Sequence, residues 1–570
     1  MTRRSKSSGS HVVTYFGLSG RAELIAAAGL FMLMLLLKII NATRYHFDSD
    51  ESQHLHVIWA WARGFVQFRD VYDNHMPLFQ IAMAPIFGLF GDRADILYWM
   101  RFLMLPLYLL AVWCTYRIGA VCFSRRVGIW AAIMAGSYPG YHFCSLEFRT
   151  DNLWAPLWLL AILVLLEGRL TTRRATTAGL LLGLCFGISM KSILLLLSIL
   201  AGAGLTLAFV KAPTLALPRR ELLRAGAAFL VSTAIVPVII IVAFAANGLW
   251  QPFKYWVFEN NIVHGLTNHP AWWALSFPLL IPAVIYGGRC LANAAPTNEA
   301  ALRRGFLFYV CGFYMPALWT FWPLVTRQDY LPWHPLGFIF YAAALVGLSH
   351  RFAQGALSRM RLLLPPLAVC GELAAILIVH PFWIDGARDE AELLRTTLAV
   401  SDPGDFVVDE KGETVFRQRA FAPIWEPCVM ERIRRGLLTD DAGEKCVQTR
   451  ACVAVLGKDI SAQASEFIRQ NYLPITDQVR VAGAWLQRSG TDSQRFEFAT
   501  VIPASYEVID LHGLAAGVLD GQSCNGPQFL MPGVHTFECK VPENELAALW
   551  SKAADRHFTP FPRRNVPPHV

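Results

Sequence analysis

Long apolar runs constrain the fold of this chain more than any other feature. The run at residues 22–40 can cross a hydrocarbon core of about 30 Å, since a helix rises about 1.5 Å per residue. Only 16% of the residues are charged, whereas soluble domains average roughly 25%. The sequence therefore predicts a polytopic α-helical membrane protein. The expected spans, about eleven in number, are 22–40, 99–121, 127–144, 152–167, 176–190, 192–210, 223–246, 272–289, 305–325, 335–349 and 362–383.

The stretch 176–210 has two interpretations, because Lys191 interrupts a nearly continuous apolar run. It is either two short helices that meet at the outer surface or one long helix. Basic residues mark cytosolic loops. They fall in every second loop only if the chain crosses the membrane about eleven times. That number of crossings requires 176–210 to form two helices, so the alternation favours the first interpretation. The basic residues that set this pattern are Arg3, Arg4, Lys6, Arg125, Arg126, Arg169, Arg173, Arg174, Lys211, Arg219, Arg220, Arg224, Arg303, Arg304, Arg351, Arg359 and Arg361.

This topology places the first long loop and everything after about residue 384 on the outer side. The short loops favour a bacterial inner (cytoplasmic) membrane, with the C-terminal region in the periplasm. We expect a transmembrane domain at 1–383, whose outer loop 42–98 carries short surface helices at Gln53–Phe65 and Pro77–Phe90. Strand-like and helix-like runs alternate in 384–500, which predicts a small α/β domain. Turn signals then predict a β-rich module at 501–570.

The outer region contains five cysteines, and an oxidising compartment permits disulfides between them. Cys524 and Cys539 flank a hairpin-like segment and form the expected pair. A second pair among Cys428, Cys446 and Cys452 leaves one thiol over. Their spacing does not resemble that of a zinc site.

An acidic cluster follows the first apolar run, with Asp48, Asp50 and Glu51 inside four residues. Charged groups beside hydrocarbon are costly and often functional. A carboxylate there can act as a general base towards an attacking hydroxyl. The alternative is a helix cap with acidic residues in the first turn.

Three cationic residues are predicted at the same outer level, although they are far apart in sequence: Arg149, Lys191 and Arg327. An anionic leaving group needs such partners. Each also has a simpler interpretation. Arg149 forms a structural pair with Asp151, Lys191 extends to the interface, and Arg327 is a topology residue.

Several of these elements resemble the GT-C superfamily of glycosyltransferases that use polyprenyl-phosphate sugars, in particular the protein O-mannosyltransferase and aminoarabinose (lipid A) transferase branch. Asp50-Glu51 matches the family's Asp-Glu pair, and Met76 replaces the first proline of the element that follows it. The resembling segments are Asp50-Glu51, Tyr72-Asp73-Asn74-His75-Met76-Pro77-Leu78, Arg149-x-Asp151, Gly187-Ile188-Ser189-Met190-Lys191 and Arg327-x-x-Tyr330-Leu331-Pro332-x-x-Pro335.

The resemblance implies an inverting transferase that moves a sugar from a lipid phosphate to an acceptor hydroxyl on the outer face. It implies that Asp50 and Glu51 are catalytic and that Asp151 and Tyr72 support them. The donor phosphate would then be bound by Arg149, Lys191, Arg327, Tyr330 and His75. No cofactor is certain, and a divalent metal at Glu51 and His75 stays open. The sugar also stays open, and so does the acceptor, which is a protein, lipid or glycan.

The competing classes are a transporter or flippase and a non-catalytic glycan-assembly protein on the same scaffold. Transporters of the inverted-repeat type carry paired broken segments in two halves, and no such repeat is visible. No basic stripe with interleaved aromatic residues indicates nucleic acid as a partner. The expected partners are therefore the bilayer, the lipid donor and the acceptor.

Overall fold

The computed structural model describes residues 20–210, 218–266, 285–287, 297–352, 363–489, 494–539 and 545–561. A helical part comes first, and an α/β part follows it. The helices of the first part are α1 (Arg21–Arg44), α2 (Ser49–Ala62), α3 (Leu78–Phe87), α4 (Ile96–Phe102), α5 (Leu105–Cys122), α6 (Arg125–Ser137), α7 (Pro139–Cys144), α8 (Asp151–Leu166), α9 (Thr172–Ile188), α10 (Ser192–Phe209), α11 (Arg219–Ala246), α12 (Trp250–Lys254), α13 (Asn298–Phe321), α14 (His334–Phe352) and α15 (Leu364–Val379).

The helices follow the predicted apolar runs wherever the structure describes them. Lys191 lies between α9 and α10, so the stretch 176–210 forms two helices rather than one. That they meet at the outer surface stays a prediction. Within the described ranges, four helical segments are long and apolar enough to cross a membrane: Arg21–Arg44, Ile96–Cys122, Ser192–Phe209 and Arg220–Ala246. The run 272–289 lies outside the described residues except for 285–287, and the total of about eleven crossings stays a prediction.

Small residues bring the helices of this part close together. A Cβ on Gly119 of α5 would lie 2.8 Å from the Cα of Gly128 on α6. A Cβ on Gly179 of α9 would lie 2.4 Å from the carbonyl oxygen of Phe229 on α11. Close backbone approach at small residues is typical of helix packing in membranes, where van der Waals contact drives association.

The first loop forms the two short helices that the sequence predicts, α2 and α3. Helix α2 begins four residues before the predicted Gln53, because Asp48 and Glu51 form a capping box around its first turn. Residues Glu51–Ala60 are all buried. The sequence did not predict this burial, since it placed α2 on a membrane surface.

The C-terminal part contains a nine-stranded sheet, a five-stranded sheet and short helices. The main path of the larger sheet runs β12-β8-β14-β5-β3-β1-β2, so strands from both sides of residue 500 share it. Its elements in chain order are α16 (Arg388–Val400), β1 (Phe406–Val408), β2 (Gln418–Arg419), α17 (Pro427–Arg434), α18 (Ala442–Thr449), β3 (Val453–Val455), α19 (Ala462–Asn471), β4 (Tyr472–Pro474), β5 (Val479–Trp485), β6 (Gln487–Arg488), β7 (Arg495–Thr500), β8 (Ala504–Asp510), β9 (Gly513–Leu514), β10 (Gly517–Leu519), β11 (Gln522–Cys524), β12 (Gln528–Leu530), β13 (Gly533–Cys539), β14 (Ala547–Trp550) and α20 (Ser551–Asp555).

The disulfide expected between Cys524 and Cys539 is not formed. Both residues lie opposite Gly517, on the two strands that flank β10. Two strand spacings separate them by about 9 to 10 Å, beyond the roughly 7 Å between Cα atoms that a disulfide tolerates. No disulfide is found among the described cysteines, including Cys428, Cys446 and Cys452.

One loop of the C-terminal part packs into the helical part. Val415 and Phe416 are fully buried in the hydrophobic core of the helices, and the Phe416 ring lies 5.7 Å from that of Phe87. The His56 ring contacts the Val415 carbonyl oxygen at 2.9 Å. This loop, residues 409–416, therefore holds the C-terminal part against α2 and α3.

Candidate active site

Five short segments converge at one end of the helical part. They are the start of α2, the loop between α7 and α8, the first residue of α8, the junction of α9 and α10, and the turn at Arg327–Tyr330. They bring together Asp50, Arg149, Asp151, Lys191 and Arg327 in a continuous network of ion pairs. The sequence placed these residues at one membrane level, and the structure joins them.

Asp50 lies at the centre of this network, between two cations. Arg149 Nη2 donates to Asp50 Oδ2 at 2.6 Å, and Lys411 Nζ donates to Oδ1. Burial by itself would raise the pKa of Asp50, but Arg149 and Lys411 outweigh it and hold the pKa well below the usual range. Asp50 is thus an ionised carboxylate at neutral pH, with its side chain 19% exposed.

Asp48 has two roles. Its carboxylate accepts from the backbone N–H of Asp50 at 3.1 Å and so caps α2. The same group accepts from Arg149 Nη1 at 2.5 Å and lies 3.5 Å from Arg327 Nη2. The cap interpretation of the acidic cluster therefore holds for Asp48, which in addition links two of the three predicted cations.

Lys191 anchors the other side of the network. Its ammonium donates to Asp329 and lies 3.7 Å from Asp151 Oδ1. Asp151 Oδ2 in turn lies 3.5 Å from Arg149 Nε. The backbone position of Lys191, between two helices, explains why a lysine in an apolar stretch reaches a polar site.

Arg327 and Glu147 form the third side. Arg327 Nη2 lies 3.4 Å from Glu147 Oε1, and Gln328 Nε2 donates to Glu147 Oε2 at 2.7 Å. Arg327 Nη1 also donates to the Tyr45 hydroxyl at 3.2 Å. Burial, with a contribution from Asp48, raises the pKa of Glu147 to about 8. Glu147 is therefore mostly protonated at neutral pH, unlike Asp50.

Glu51 lies away from the exposed site, although it is adjacent to Asp50 in sequence. It is fully buried and accepts two hydrogen bonds from Arg101. Its remaining contacts are the backbone N–H groups of Asp48 and Phe148, both at 2.9 Å or less. These contacts make Glu51 a positioning group for the start of α2.

The other predicted site residues flank the network. His75 Nδ1 lies 2.9 Å from Asp73 Oδ1; burial lowers its pKa, but Asp73 outweighs burial and raises it. The Tyr72 hydroxyl donates to Glu426 at 3.1 Å. Tyr330 is buried and accepts from Trp319 Nε1 at 3.0 Å. In the part of the chain that the structure describes, no His, Cys, Asp and Glu side chains are grouped to hold a metal ion.

Sequence reasoning missed Lys411, the role of Glu147, and Arg101. Arg101 carried a usable signal, because a charge inside an apolar run needs a buried partner. Glu147 lies two residues before Arg149 but shows no distinguishing pattern. Lys411 lies in a different domain, more than 350 residues from Asp50, and nothing in the sequence pairs the two.

The arrangement has two chemical capacities. An anionic group can bind at the edge of the ion-pair network, beside its four cations: Arg149, Lys191, Arg327 and Lys411. Asp50, ionised and partly exposed, can accept a hydrogen bond or a proton from a hydroxyl beside that group.

The chain is similar to known proteins in part of its sequence and in its fold. Residues 74–245 match the family model of dolichyl-phosphate-mannose-protein mannosyltransferases. The fold is similar to that of ArnT from Cupriavidus metallidurans in the apo state, with a TM-score of 0.55 at 12% identity over 80% of this chain and 97% of ArnT. The chain resembles the GT-C glycosyltransferases.

Two further structures are similar. One is ArnT from Cupriavidus metallidurans bound to undecaprenyl phosphate, with a TM-score of 0.55 and 13% identity over 80% of this chain and 97% of that one. The other is the oligosaccharyltransferase AglB from Archaeoglobus fulgidus with an inhibitory peptide and a dolichol-phosphate, with a TM-score of 0.50 and 12% identity over 92% of this chain and 75% of AglB. By sequence, no curated protein matches the chain.

The GT-C resemblance that the sequence predicted is thereby confirmed. The chain is a multi-pass membrane protein with a mostly helical fold and a C-terminal β-containing region. The matched segment begins at Asn74 and includes Arg149, Asp151 and Lys191. Asp50 and Arg327 lie outside that segment, so their place in the site rests on the geometry given above.

Proposed function

We propose that this protein is an inverting glycosyltransferase of a bacterial inner membrane. It moves a sugar from a polyprenyl-phosphate donor to an acceptor hydroxyl on the outer face, where the C-terminal part also lies. The observation that carries the proposal is the ion-pair network in which Asp50 is ionised and partly exposed beside Arg149.

The transfer is a single displacement. The acceptor oxygen bonds to the anomeric carbon, the bond from that carbon to the phosphate oxygen breaks, and its electron pair leaves with the lipid phosphate. Asp50 takes the acceptor proton as the general base, on the side opposite the leaving group, as inversion requires.

The leaving phosphate is stabilised by Arg149, Lys191 and Arg327. Cations positioned in a partly buried site stabilise developing charge more than they would in water. Asp151 orients Arg149 and Lys191, since it lies within 3.7 Å of both. Tyr72, His75 and Tyr330 shape the surrounding walls.

The fold organisation fits this role. The transmembrane domain at 1–383 holds the lipid part of the donor between its helices. The outer segments 384–500 and 501–570, whose strands share the nine-stranded sheet, bind the acceptor or cover the site. The GT-C likeness supports lipid-linked sugar transfer over a transporter or a non-catalytic assembly protein.

The test uses purified protein in lipid nanodiscs with labelled short-chain polyprenyl-phosphate sugars. The wild type is expected to release polyprenyl phosphate. Asp50→Asn is expected to lower the rate by about 10²- to 10⁴-fold, the usual contribution of a general base. Asp95→Asn is the matched control, because the Asp95 side chain is exposed and its partners among the described residues are the nearby Arg93 and Trp99.

Two results would contradict the proposal. An Asp50→Asn variant with wild-type activity removes Asp50 as the base. A wild-type protein that moves a lipid-linked sugar across the bilayer without releasing polyprenyl phosphate is a flippase.

A further inference from the structure

Lys411 is the one cation of the described network that comes from the C-terminal part. Its side chain is 11% exposed, and its ammonium contacts Asp50 Oδ1 and the Ser49 hydroxyl, the latter at 3.3 Å. Arg149 already occupies Oδ2 of Asp50. Each carboxylate oxygen therefore has a cationic partner, which lowers its basicity towards the proton of an acceptor hydroxyl.

The backbone that carries Lys411 is held in place. Asp409 is fully buried and accepts from the Gly412 and Thr414 backbone N–H groups at 3.1 and 3.0 Å. It also accepts from the Thr414 hydroxyl at 2.7 Å and from Arg419 Nε at 2.6 Å. The loop thus delivers a long, flexible lysine side chain from a fixed base.

Lys411 differs from the other cations in how many carboxylates it contacts. Arg149 contacts the carboxyl groups of Asp48, Asp50, Asp151 and Glu147. Lys191 contacts the carboxylates of Asp151 and Asp329, and Arg327 contacts the Asp48 carboxylate and the carboxyl group of Glu147. Among the described ion pairs, Lys411 contacts Asp50 alone. Movement of Lys411 towards a competing anion would therefore break fewer ion pairs than movement of any of the other three cations.

We propose that Lys411 is a switching counter-ion of the transfer reaction. It pairs with Asp50 before the donor binds and moves to the phosphate when the donor binds. The move removes a cation from Asp50 Oδ1, which makes this oxygen more basic towards the acceptor proton, and places a positive charge beside the leaving phosphate. The C-terminal part thereby takes a direct share in the reaction. This inference rests on the proposed function.

The step balances in charge and atoms. The acceptor proton goes to Asp50 Oδ1, and the electron pair of the broken bond goes to the phosphate, where Lys411 faces it. The charged and titratable groups near Asp50 are Arg149, Lys411, His54, His75, Asp48, Asp151 and Glu426. Only Lys411 changes partner.

The first test measures binding of a short-chain polyprenyl phosphate without sugar. Lys411→Ala and Lys411→Gln are expected to weaken it by about 10- to 100-fold, as for a lost charge-assisted hydrogen bond. Lys411→Arg retains most of the affinity. Lys445→Ala is the control, because Lys445 is 41% exposed on the same domain. Asp50→Asn releases Lys411 and is expected to bind the phosphate at least as tightly as the wild type.

The second test is the pH profile of transfer. Without Lys411, Asp50 loses one of its two cations, so its pKa rises and the acid limb of the profile moves to higher pH. A lysine that acted only on the fold, without an electrostatic effect on Asp50, would lower activity without moving this limb. Lys411→Gln retains part of the aliphatic stem and serves if Lys411→Ala does not fold.

Lys411 variants with wild-type phosphate binding and an unchanged acid limb would overturn the inference and leave the proposed function intact. Weaker phosphate binding by Asp50→Asn would also overturn it. A wild-type protein that neither binds polyprenyl phosphate nor transfers a sugar from it overturns both.

Discussion

Arg101 and Glu51 form a fully buried ion pair, with Arg101 Nε 2.8 Å from Glu51 Oε2 and Nη2 2.5 Å from Oε1. Asp50, the preceding residue, points instead into the partly exposed network of Arg149 and Lys411. Successive residues of a helix point about 100° apart, so two adjacent carboxylates serve different purposes. Asp50 is available for chemistry, and Glu51 holds the start of α2.

Glu51→Ala should therefore destabilise the protein. Removing one partner of a buried ion pair leaves the other charge without compensation, at a cost of about 3 to 5 kcal/mol. Thermal unfolding in detergent measures the effect. Glu392→Ala is the control, because Glu392 is 55% exposed in a surface pair with Arg395, and such pairs contribute about 0 to 1 kcal/mol.

A double variant separates two roles of Glu51, its ion pair with Arg101 and its capping of the first turn of α2. Glu51→Met with Arg101→Met removes both charges, and we expect it to be more stable than either single variant. An unchanged midpoint for Glu51→Ala would show that the pair does not stabilise the fold.

Arg149→Lys should lower transfer strongly while retaining the charge. The Arg149 guanidinium spans Asp48 and Asp50 from two nitrogens, at 2.5 and 2.6 Å. A lysine ammonium is a single point and cannot hold both groups in one geometry. We expect a loss of about 10²-fold in kcat/KM, typical of a misplaced reacting group. Arg117→Lys, in a partly exposed pair with Glu167, is the control, and equal activity of the two variants would refute the spanning role.

Gly412→Ala should disturb the loop that presents Lys411. Gly412 has φ +94°, and a Cβ there would lie 2.8 Å from the His56 Cβ. An alanine must therefore strain the backbone and shift the loop away from α2. We expect at least about a tenfold loss of transfer, since small displacements in active sites cost rate.

The matched control for Gly412→Ala is Gly404→Ala, where a new Cβ meets no atom within 4 Å and φ is not positive. Transfer assays of both variants, with thermal midpoints, check the prediction. Equal rates for the two variants would show that the loop position does not affect the reaction.

Glu147 should make stability depend on pH. Its pKa is raised from 4.5 to about 8, chiefly by burial. Between these values the folded protein binds more protons than the unfolded chain, so stability falls as the pH rises from about 4.5 to 8. Glu147→Gln resembles the protonated group and removes this contribution. Thermal midpoints from pH 5 to 8 should fall less for Glu147→Gln than for the wild type, and parallel curves would contradict the raised pKa.

Much of the helical part follows from local sequence. The lengths of the apolar runs predicted the positions of the helices. Lys191 marked the break between α9 and α10, because a lysine inside an apolar helix is costly. The acidic cluster was identified as either a cap or a site. Asp48 is both a cap and a member of the network, whereas Asp50 lies in the network and Glu51 lies in the core.

The disulfide between Cys524 and Cys539 was wrong because pairing depends on strand order. A hairpin-like segment between two cysteines suggested neighbouring strands. In the sheet, β10 pairs with both β11 and β13 and so lies between the two residues. Strand order is set by contacts distant in sequence, which spacing does not report.

The sequence by itself determined the membrane class, the helix positions in the described part and the family resemblance, and it predicted one membrane level for Asp50, Arg149, Lys191 and Arg327. These properties depend on local hydropathy and on charge placed at helix ends. Only the tertiary structure decided that Glu51 belongs to Arg101, that Glu147 pairs with Arg327, and that Lys411 reaches Asp50. Those pairings depend on packing between segments up to 361 residues apart, and burial there sets both the partners and the protonation of each carboxylate.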